Sequence, residues 1–499
     1  MIKLISLVLI FWAQTAACEE YSLFTRPTYK DASTNSLAYE SADHKHALYL
    51  SGILSWRADA FFNSKGIIMN MGTNATDINS NNPVLRNWVY VASPVLEAKI
   101  DDNIRIYLNP DFGQDQYRLF DANVNLNYFK SLSLMAGLQY SLISGFEPYI
   151  FNYPGFTTNM APWKETMLNL HGELGMGEAA PYNYNLRGLH SWIFYELAMT
   201  NGAPDAAFPG YIPFSVNSTG NLYQVFTFNT GHKAFEGRLF INPFINEEHH
   251  ILKHLGFGFA GSAMTVINQI GLPAYLSIGK NVIFQFNSLE KYSIAQGRRN
   301  RIHPQFIWYH KNFSILGDYI ISSQQLSNFF NTNVNEYPTV QQINHAGQVE
   351  LLWNITGEDW VWSPIYEPNQ NFKPFDQTSI GAWQLGFRVS NMSLDPNIFK
   401  YSYINSAGQK QYNYSDPRTS VQKATAYGLV LNWIWNKYFK LSTEFSYTRF
   451  IGGCSTGALN SPINPGCLTA PNQYIAALDS TVVNRPAEIV LFQQASIVF

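Results

Sequence analysis

The stretch FDANVNLNYFKSLSLMAGLQYS, residues 120–141, decides the fold. From Phe120 to Tyr128 every second residue is apolar, and the residues between them are only Asp and Asn. A second alternating run begins at Leu132, after a connection of only three residues. Period-two alternation predicts β-strands with two unlike faces, and so short a connection predicts a tight antiparallel hairpin.

The same alternation recurs along the chain. The segments Trp383–Val389, Tyr427–Trp435 and Phe439–Tyr447 each place apolar and aromatic residues on one face, and a short turn joins the last two. Aromatic residues stand at both ends of the apolar face of this hairpin, as in the interfacial girdles of membrane barrels. Longer stretches rich in Asn, Gly, Pro and Ser separate the strands. We therefore predict an all-β, transmembrane, antiparallel up-and-down β-barrel.

The composition favours a membrane barrel over other classes of protein. Of the 499 residues, 46% are hydrophobic and 13% are charged, whereas soluble proteins average about 25% charged residues. No stretch approaches the roughly 18 uninterrupted apolar residues of a membrane-spanning helix. The net charge of −3 disfavours a nucleic-acid partner, which usually meets a basic surface.

Residues 1–17 have the pattern of a secretory signal peptide. A basic residue precedes a short apolar run, and Thr15-Ala16-Ala17 supplies the small residues of a cleavage site. An apolar run of about nine residues is too short for a spanning helix, which needs about 20; a retained N-terminal anchor is the alternative. Residues 18–499 are predicted to form one barrel domain. A further alternative is a lipoprotein acylated at Cys18.

The last residues predict a strand that closes the barrel. From Ala487 to Phe499 every second residue lies on one face, which is apolar apart from Gln493 and ends in an aromatic ring. The opposite face mixes polar residues with Val490 and Phe492, so the alternation is imperfect. A last strand with a terminal Phe resembles the assembly signal of bacterial outer-membrane barrels. The alternative is a soluble secreted protein that happens to end in Phe.

Ordered sequence patches run from about Asn109 toward Phe499. They are Asn109-Pro110-Asp111-Phe112-Gly113, Leu119-Phe120-Asp121-Ala122, Leu134 to Phe146, Phe235-Glu236-Gly237-Arg238 with Pro243-Phe244, Thr356-Gly357-Glu358, and Gly381-Ala382-Trp383-Gln384-Leu385 with Arg388. Together they resemble the phosphate-selective porin O/P family, although Gln384 stands where that pattern usually has Glu. The resemblance implies a 16-stranded barrel that forms a trimer and passes small anions.

Four basic residues are candidates for the pore lining. Arg57, Arg105 and Arg388 lie within strands on the polar face, and Lys99 follows the same logic together with Glu97. A charge facing lipid at mid-bilayer would cost about 2–4 kcal/mol, so the lumen is the expected side. The lumen arginine ladder of the family's selective members does not map onto this chain residue by residue, and the charges here are mixed. We therefore expect weak anion selectivity and no phosphate specificity.

Three further groups bear on function. Arg298-Arg299-Arg301 is either a mouth or lumen patch that concentrates anions, or a turn cluster that binds lipopolysaccharide phosphates or only water. Cys454 and Cys467 lie in a Gly/Asn/Pro/Ser-rich stretch of an exported chain, which predicts a disulfide. Glu247-Glu248-His249-His250 lacks the helical spacing of a metalloprotease site and is interpreted as a solvated turn.

The first functional hypothesis is a porin, which allows passive diffusion of small hydrophilic solutes and selects by pore diameter and lumen charge. The expected partners are those solutes or anions, outer-membrane lipid and lipopolysaccharide, and further copies of the chain in a homotrimer. The alternative is a surface adhesin or structural barrel without an open pore, which long polar loops would also suit. The sequence carries no nucleophile-elbow, phosphate-loop or calcium-loop motif, so we expect no enzyme activity, metal or cofactor.

Overall fold

A computed structural model provides the three-dimensional structure of the chain. It describes residues 22–23, 37–43, 45–62, 66–69, 75–78, 84–101, 103–113, 118–129, 131–145, 150–176, 191–205, 214–216, 222–224, 232–247, 251–269, 272, 274–287, 293–328, 339–360, 365–376, 379–404, 408, 410–455 and 481–499. The predicted signal peptide and Cys18 lie outside the described residues.

Sixteen long strands make up most of the described part of the chain. They are β1 (Ala47–Phe62), β2 (Val84–Lys99), β3 (Ile104–Asp111), β4 (Arg118–Phe129), β5 (Leu132–Tyr140), β6 (Lys164–Met176), β7 (Ser191–Thr200), β8 (Ala234–Ile241), β9 (Gly256–Gln269), β10 (Ser293–His310), β11 (Phe313–Asn328), β12 (Val340–Asn354), β13 (Ala382–Ser393), β14 (Val421–Asn436), β15 (Phe439–Ser455) and β16 (Glu488–Val498).

These strands form one closed antiparallel ring. Each strand pairs with its neighbours in chain order, and β16 pairs back with β1, from Ile489 opposite Phe62 to Val498 opposite Ile53. Closure leaves no free edge in the ring, so every wall strand finds backbone partners on both sides. The predicted transmembrane up-and-down barrel, with its 16 strands, is confirmed.

Shorter elements lie in the connections. Leu37–Glu40 pairs with β1 and with Ser22–Leu23, and Val482–Asn484 pairs with β15. Four small hairpins are Gly66–Met69 with Ala75–Ile78, Phe214–Val216 with Leu222–Gln224, Tyr275–Leu276 with Val282–Phe284, and Ser402–Ile404 with Lys410–Tyr412. Among the described residues, Phe156–Met160 and Pro396–Phe399 form 3₁₀ helices. Within the described ranges, no helix combines the length and apolarity needed to cross a membrane.

The two faces of each strand differ as the alternation predicts. On β14, Tyr427, Leu429 and Leu431 are 38% to 48% exposed on the outer face, whereas Val430 and Asn432 are fully buried on the inner face. Because successive side chains point to opposite faces, one strand supplies both the apolar exterior and the interior. The outside of the ring is therefore an apolar surface suited to lipid.

Short turns lie at one end of the barrel, where β4 meets β5, β10 meets β11 and β14 meets β15. The long connection 355–381 lies at this same end, because it follows β12 and precedes β13. This placement departs from the expected alternation of short turns with long loops at the opposite end. The segment folds back on this end of the barrel: the buried Trp360 donates its backbone N–H to Lys311 O at 2.6 Å, and Phe372 N–H donates to Trp435 O at 2.7 Å.

The seam between β1 and β16 continues into an aromatic contact. Gly52 and Phe499 exchange backbone hydrogen bonds of 2.9 and 3.1 Å. A side chain on Gly52 would displace the Phe499 ring, since a Cβ there would lie 2.6 Å from Phe499 Cζ. The apolar inner residues that made the alternation of β16 imperfect, Val490 and Phe492, are fully buried inside the barrel. They have apolar partners there because loops enter the interior.

Candidate functional site: the barrel lumen

Two loops fold into the barrel. The first inward loop, residues 141–163, connects β5 to β6, and the second inward loop, residues 270–292, connects β9 to β10. They meet inside: Asn159 Nδ2 donates to Leu276 O at 2.8 Å, and Leu276 N–H donates to Asn159 Oδ1 at 3.2 Å. Hydrogen bonds from these loops reach buried inner residues of β1, β13, β15 and β16.

The first inward loop crosses the lumen to the far wall. Asn152 N–H donates to Glu444 Oε2 on β15 at 2.6 Å. Phe156 N–H donates to Ser390 Oγ on β13 at 2.8 Å. The loop starts from β5, which lies eight strands from β13 and six from β15 around a ring of sixteen, so these bonds attach it to the opposite side of the barrel.

A glycine allows the loop to approach the far wall closely. A Cβ on Gly155 would lie 1.6 Å from Gln348 Oε1 and 2.9 Å from Ser390 Oγ. Any side chain there would therefore push the loop away from β12 and β13. The sequence alone does not reveal this role, because the Gly lies in a Pro-rich stretch that reads simply as a loop.

Arg57, a predicted lining residue on β1, lies inside the barrel against the first inward loop. Its guanidinium lies between two aromatic rings, 3.5 Å from the centroid of Tyr90 and 4.1 Å from that of Tyr153. Its Nε donates to Gln494 Oε1 at 3.0 Å, and its Nη2 donates to Asn152 O. Cation–π contacts and charge-assisted hydrogen bonds thus hold the loop at this point.

Arg388, the predicted lining residue on β13, holds the same loop beside two carboxylates. Its Nη1 donates to Tyr153 O at 2.6 Å and lies 3.6 Å from Glu350 Oε1. Its Nη2 lies 3.1 Å from Glu444 Oε1, and the guanidinium stacks 4.3 Å from the Phe151 centroid. The two carboxylates beside Arg388 offset its positive charge, which weakens its attraction for an anion.

Lys99 and Arg105 form a separate group near the short turn between β2 and β3. Arg105 Nη1 pairs with Glu97 Oε1 at 2.7 Å, and these side chains keep 13% and 24% of their exposure. Lys99 lies directly opposite Arg105 in the strand register. The four predicted residues therefore divide between the crossing of the first inward loop and the short-turn end of the lumen.

The basic cluster at 298–301 is part of a strand, which makes the turn interpretation wrong. All three arginines belong to β10; Arg298 faces outward and is exposed, whereas Arg299 and Arg301 face inward and are buried. Arg301 Nε pairs with Asp205 Oδ1 at 2.7 Å. The alternation of β10 explains the split, since residues of one parity share one face.

The second inward loop is held by a buried carboxylate on β16. Glu488 Oε1 accepts from Gly279 N–H at 3.0 Å, and its Oε2 accepts from Ser277 Oγ at 2.9 Å and from Asn281 Nδ2. Glu488 is 3% exposed, so water does not compete for these bonds. A charged acceptor with several donors makes stronger hydrogen bonds than a neutral one.

Tyr275 fixes the other side of the second inward loop. Its phenol donates to Asp205 Oδ2 at 3.2 Å and accepts from Asn344 Nδ2 at 3.1 Å. Burial and the negative charge of Asp205 raise the pKa of Tyr275 well above its ordinary value. The hydroxyl therefore stays protonated and keeps its proton for Asp205.

We expect the substitution Glu488→Gln to loosen the second inward loop. The new amide group would face donors that now have an acceptor, and each unsatisfied buried donor costs about 1–3 kcal/mol. Limited proteolysis of the folded protein should then cut within residues 270–292 faster than in the parent. Glu358→Gln, a buried glutamate of the 355–381 connection, is the matched control. Equal cleavage rates in the parent and in Glu488→Gln would contradict this role of Glu488.

Several lumen carboxylates were missed by the sequence analysis. They are Asp205, Asp318, Glu350, Glu444 and Glu488, all paired or hydrogen-bonded inside the barrel. The signal was present for Glu350 and Glu444, which lie on the polar face of alternating strands, as Arg388 does. Asp205 lies in a connection beyond β7, where alternation gives no information about direction.

The remaining predicted groups have partial structural descriptions. Cys454 is disulfide-bonded, and its predicted partner Cys467 lies outside the described residues, so that pairing stays a prediction. His249 and His250 also lie outside the described residues. Among the residues whose positions are described, no group of three or more His, Cys, Asp or Glu could hold a metal ion.

Comparisons with known proteins were made on sequence and on structure. No protein-family model matches the chain, and no curated protein matches its sequence. Among solved structures, the outer membrane channel DcaP of Acinetobacter baumannii has a TM-score of 0.49 and 10% identity over 92% of this chain and 99% of its own. OprB of Pseudomonas putida has a TM-score of 0.44 and 10% sequence identity, and the match covers 90% of this chain and 94% of OprB. OmpF of Salmonella typhi has a TM-score of 0.41 and 11% sequence identity, and the match covers 92% of this chain and 100% of OmpF.

These similarities leave the phosphate-selective porin family unconfirmed for this chain. The location follows from the barrel itself: in a closed antiparallel ring the wall strands bond to one another, and the apolar, exposed exterior suits lipid. The chain is a bacterial outer-membrane β-barrel. Because short turns lie at the periplasmic end in barrels of this class, we expect the short-turn end to be the periplasmic one here.

Proposed function

We propose that the protein is a porin for small hydrophilic solutes. The observation that carries this proposal is the polar inner wall. Along β12 the outer face carries the exposed Ile343, Val349, Leu351 and Trp353 beside Gln341 and His345, whereas the inner face carries amides and a carboxylate: Gln342, Asn344, Gln348, Glu350 and Asn354. A barrel that served only as a stable structure would gain more from an apolar interior, since buried polar groups must all find partners.

The pore lining in this proposal consists of two regions. Arg57 and Arg388 act where the first inward loop crosses, and Lys99 and Arg105 act toward the periplasmic mouth. The inner guanidiniums bind loop carbonyls and carboxylates, which supports only a weak anion preference. The homotrimer, the signal peptide and the contact with lipopolysaccharide are further parts of the proposal that rest on the sequence.

The test is single-channel conductance of the purified, folded protein in a planar bilayer, with the reversal potential measured in a salt gradient. We expect stable current steps and a reversal potential close to zero, because lumen charges of both signs lie side by side. A strong anion preference would contradict the pairing of Arg388 with its two carboxylates. Arg105→Gln should shift the reversal potential toward cations, since the partly exposed Arg105 meets permeating ions.

A second candidate is a structural or adhesive barrel without an open pore. The observation that favours it is the burial of the inner wall beneath the two inward loops. The same bilayer experiment separates the two functions. Absence of current steps from protein with the heat-modifiable migration of a folded barrel would replace the porin proposal by this one.

A further inference from the structure

Two long connections at the short-turn end of the barrel carry exposed apolar side chains. Residues 242–255 connect β8 to β9, and residues 355–381 connect β12 to β13. Ile251 of the first connection is 55% exposed, Ile380 of the second is 48% exposed, and Phe375 of the second is fully exposed. Apolar surface is thus added to this end of the barrel outside the strands, and its position relative to the wall indicates what covers it.

Each connection is bound by a tryptophan on the outer face of the wall. Trp308 of β10 donates its indole N–H to Ile251 O at 3.0 Å, and Trp433 of β14 donates its indole N–H to Ile380 O at 2.8 Å. Both tryptophans belong to the outward set of residues in strands whose alternate residues are buried inside the barrel. The backbone at each isoleucine therefore lies at the lipid-facing rim.

Phe375 lies at the tip of a tight turn that leaves the wall beside the second of these tryptophans. Just before the turn, the Phe372 ring packs edge-on against Trp433, with ring centroids 4.8 Å apart. Lys373 N–H donates to Ser379 O at 2.9 Å and closes the turn. A closed turn that presents a bare aromatic ring beside an outward tryptophan extends the lipid-facing surface beyond the strands.

The outer apolar runs of β10 and β13 are short for a membrane. They extend from Ile302 to Trp308 and from Trp383 to Val389, and the outward Asn300 and Asn391 end them on the side away from the short turns. A run over six residues rises about 20 Å, or about 15 Å along the membrane normal at the tilt of such strands. The apolar band of an outer-membrane barrel is about 25 Å tall. The missing height therefore lies at the short-turn end, where the two connections are.

We infer that these two connections enter the membrane leaflet at the short-turn end, so that phospholipid acyl chains cover Ile251, Ile380 and Phe375. Apolar side chains have a lower free energy in such surroundings than in water. Tryptophan rings mark the boundary between lipid and water in membrane proteins, so Trp308 and Trp433 lie at the expected depth. The inference goes beyond the proposed porin function: it needs the barrel to lie in the outer membrane, but it does not need an open pore.

Two lysines fit the same placement. Lys253 and Lys373 each lie two residues from an exposed apolar side chain of their connection. A lysine at a membrane interface can place its carbon stem along apolar surface and extend its ammonium group to the polar region. The acidic neighbour Asp376 accepts a hydrogen bond from Ser379 Oγ at 3.0 Å within the turn. The charge beside the exposed side chains therefore suits the phosphate groups of phospholipid.

The test is electron paramagnetic resonance of the folded protein in phosphatidylcholine bilayers, with one nitroxide label at a time. The labelled variants are Phe375→Cys and Ile251→Cys, with Leu429→Cys on the outer wall as the lipid control and Ile404→Cys as the aqueous control. Ile404 is 66% exposed and lies in a small hairpin at the opposite end of the barrel. The parent protein, treated with the same label, gives the background from its own cysteines.

The measured quantity is the ratio of two collision rates of the label, one with oxygen, which concentrates in lipid, and one with a water-soluble nickel chelate. We expect this ratio at positions 375 and 251 to be several-fold higher than at 404 and close to that at 429. Ratios at 375 and 251 that equal the ratio at 404 would overturn the inference. Spectral broadening at 375 that disappears on dilution with unlabelled protein would identify a second copy of the chain as the partner, and would also overturn it.

A pair of crossed variants tests the part assigned to the two indoles. Trp433→Phe and Trp308→Phe each keep an aromatic ring at the interface and remove the N–H that binds the connection. We expect Trp433→Phe to lower the ratio at 375 and to leave the ratio at 251 unchanged, and Trp308→Phe to do the reverse. Each variant is therefore the matched control of the other. Ratios that stay at the parent values in both variants would contradict this role of the tryptophans.

Discussion

Replacing residues 144–161 by a Gly-Ser-Gly linker should raise the single-channel conductance several-fold. These residues contain the part of the first inward loop that crosses the lumen and binds Arg388 and Glu444 on the far wall. Current through a pore falls as its cross-section falls, and the deletion removes backbone that crosses the lumen from β5 to β13 and β15. The linker can close the gap because Ser141 N–H already bonds Trp163 O at 3.1 Å at the base of the loop.

The sixteen-stranded ring is expected to fold without these residues. The deleted residues take no part in the strand pairing of the ring, and Arg388 keeps its ion pair with Glu444. The control is a similar replacement of residues 405–409, at the tip of the small hairpin around Gly408, where a Cβ would meet nothing within 4 Å. That control should leave the conductance unchanged. If the lumen variant folds and conducts like the parent, the first inward loop does not limit the current.

The second large effect is expected at the seam between β1 and β16. Gly52→Val would place side-chain atoms where Phe499 Cζ lies 2.6 Å from an ideal Cβ, and Ser93 O lies 3.0 Å away. Overpacking of this kind costs about 1–3 kcal/mol, and here it falls on the strand pair that closes the ring. We expect much less heat-modifiable, folded protein in the outer membrane.

A double-substitution cycle assigns this effect to the contact between the two residues. Phe499→Ala removes the ring, so Gly52→Val should cost much less folded protein in that background than in the parent. The measurement is the ratio of folded to unfolded bands in unheated samples of the four proteins. A penalty for Gly52→Val that is the same with and without the Phe499 ring would show that the ring is not the obstacle.

The strands of the barrel wall could be predicted from the sequence because the alternation of apolar and polar residues is visible within each strand. In a strand such as β4, consecutive residues show which face points inward: Asp121 and Asn123 are buried in the interior, whereas Val124 is exposed on the outside. Arg388 could be placed inward by the same rule. A charged side chain on the lipid-facing side would destabilise the barrel, so the alternation and the free energy of burial in lipid predict the same inward direction.

The contents of the lumen could not be predicted, because they depend on contacts between distant residues. Nothing near Asn152 in the sequence reveals that its N–H bonds Glu444 across the barrel. The prediction of lumen arginines was consequently incomplete. It predicted that Arg57 and Arg388 point into the barrel, but it did not identify the carbonyl and carboxylate groups that bind them. The 298–301 cluster was misinterpreted in part because several basic residues in a row resemble a turn more than a strand.

The first inward loop also lies against both strands of the seam. Tyr153 packs edge-on against Phe492 of β16, with ring centroids 4.7 Å apart, and its hydroxyl donates to Asp59 Oδ2 of β1 at 3.3 Å. The first and the last strand of the wall, β1 and β16, thus both contact the first inward loop, which lies between β5 and β6 in the sequence. The loop that narrows the bore therefore also braces the junction that closes the cylinder, although it supplies none of the strand pairing there. Its removal should weaken the seam by these two contacts while the ring itself stays closed.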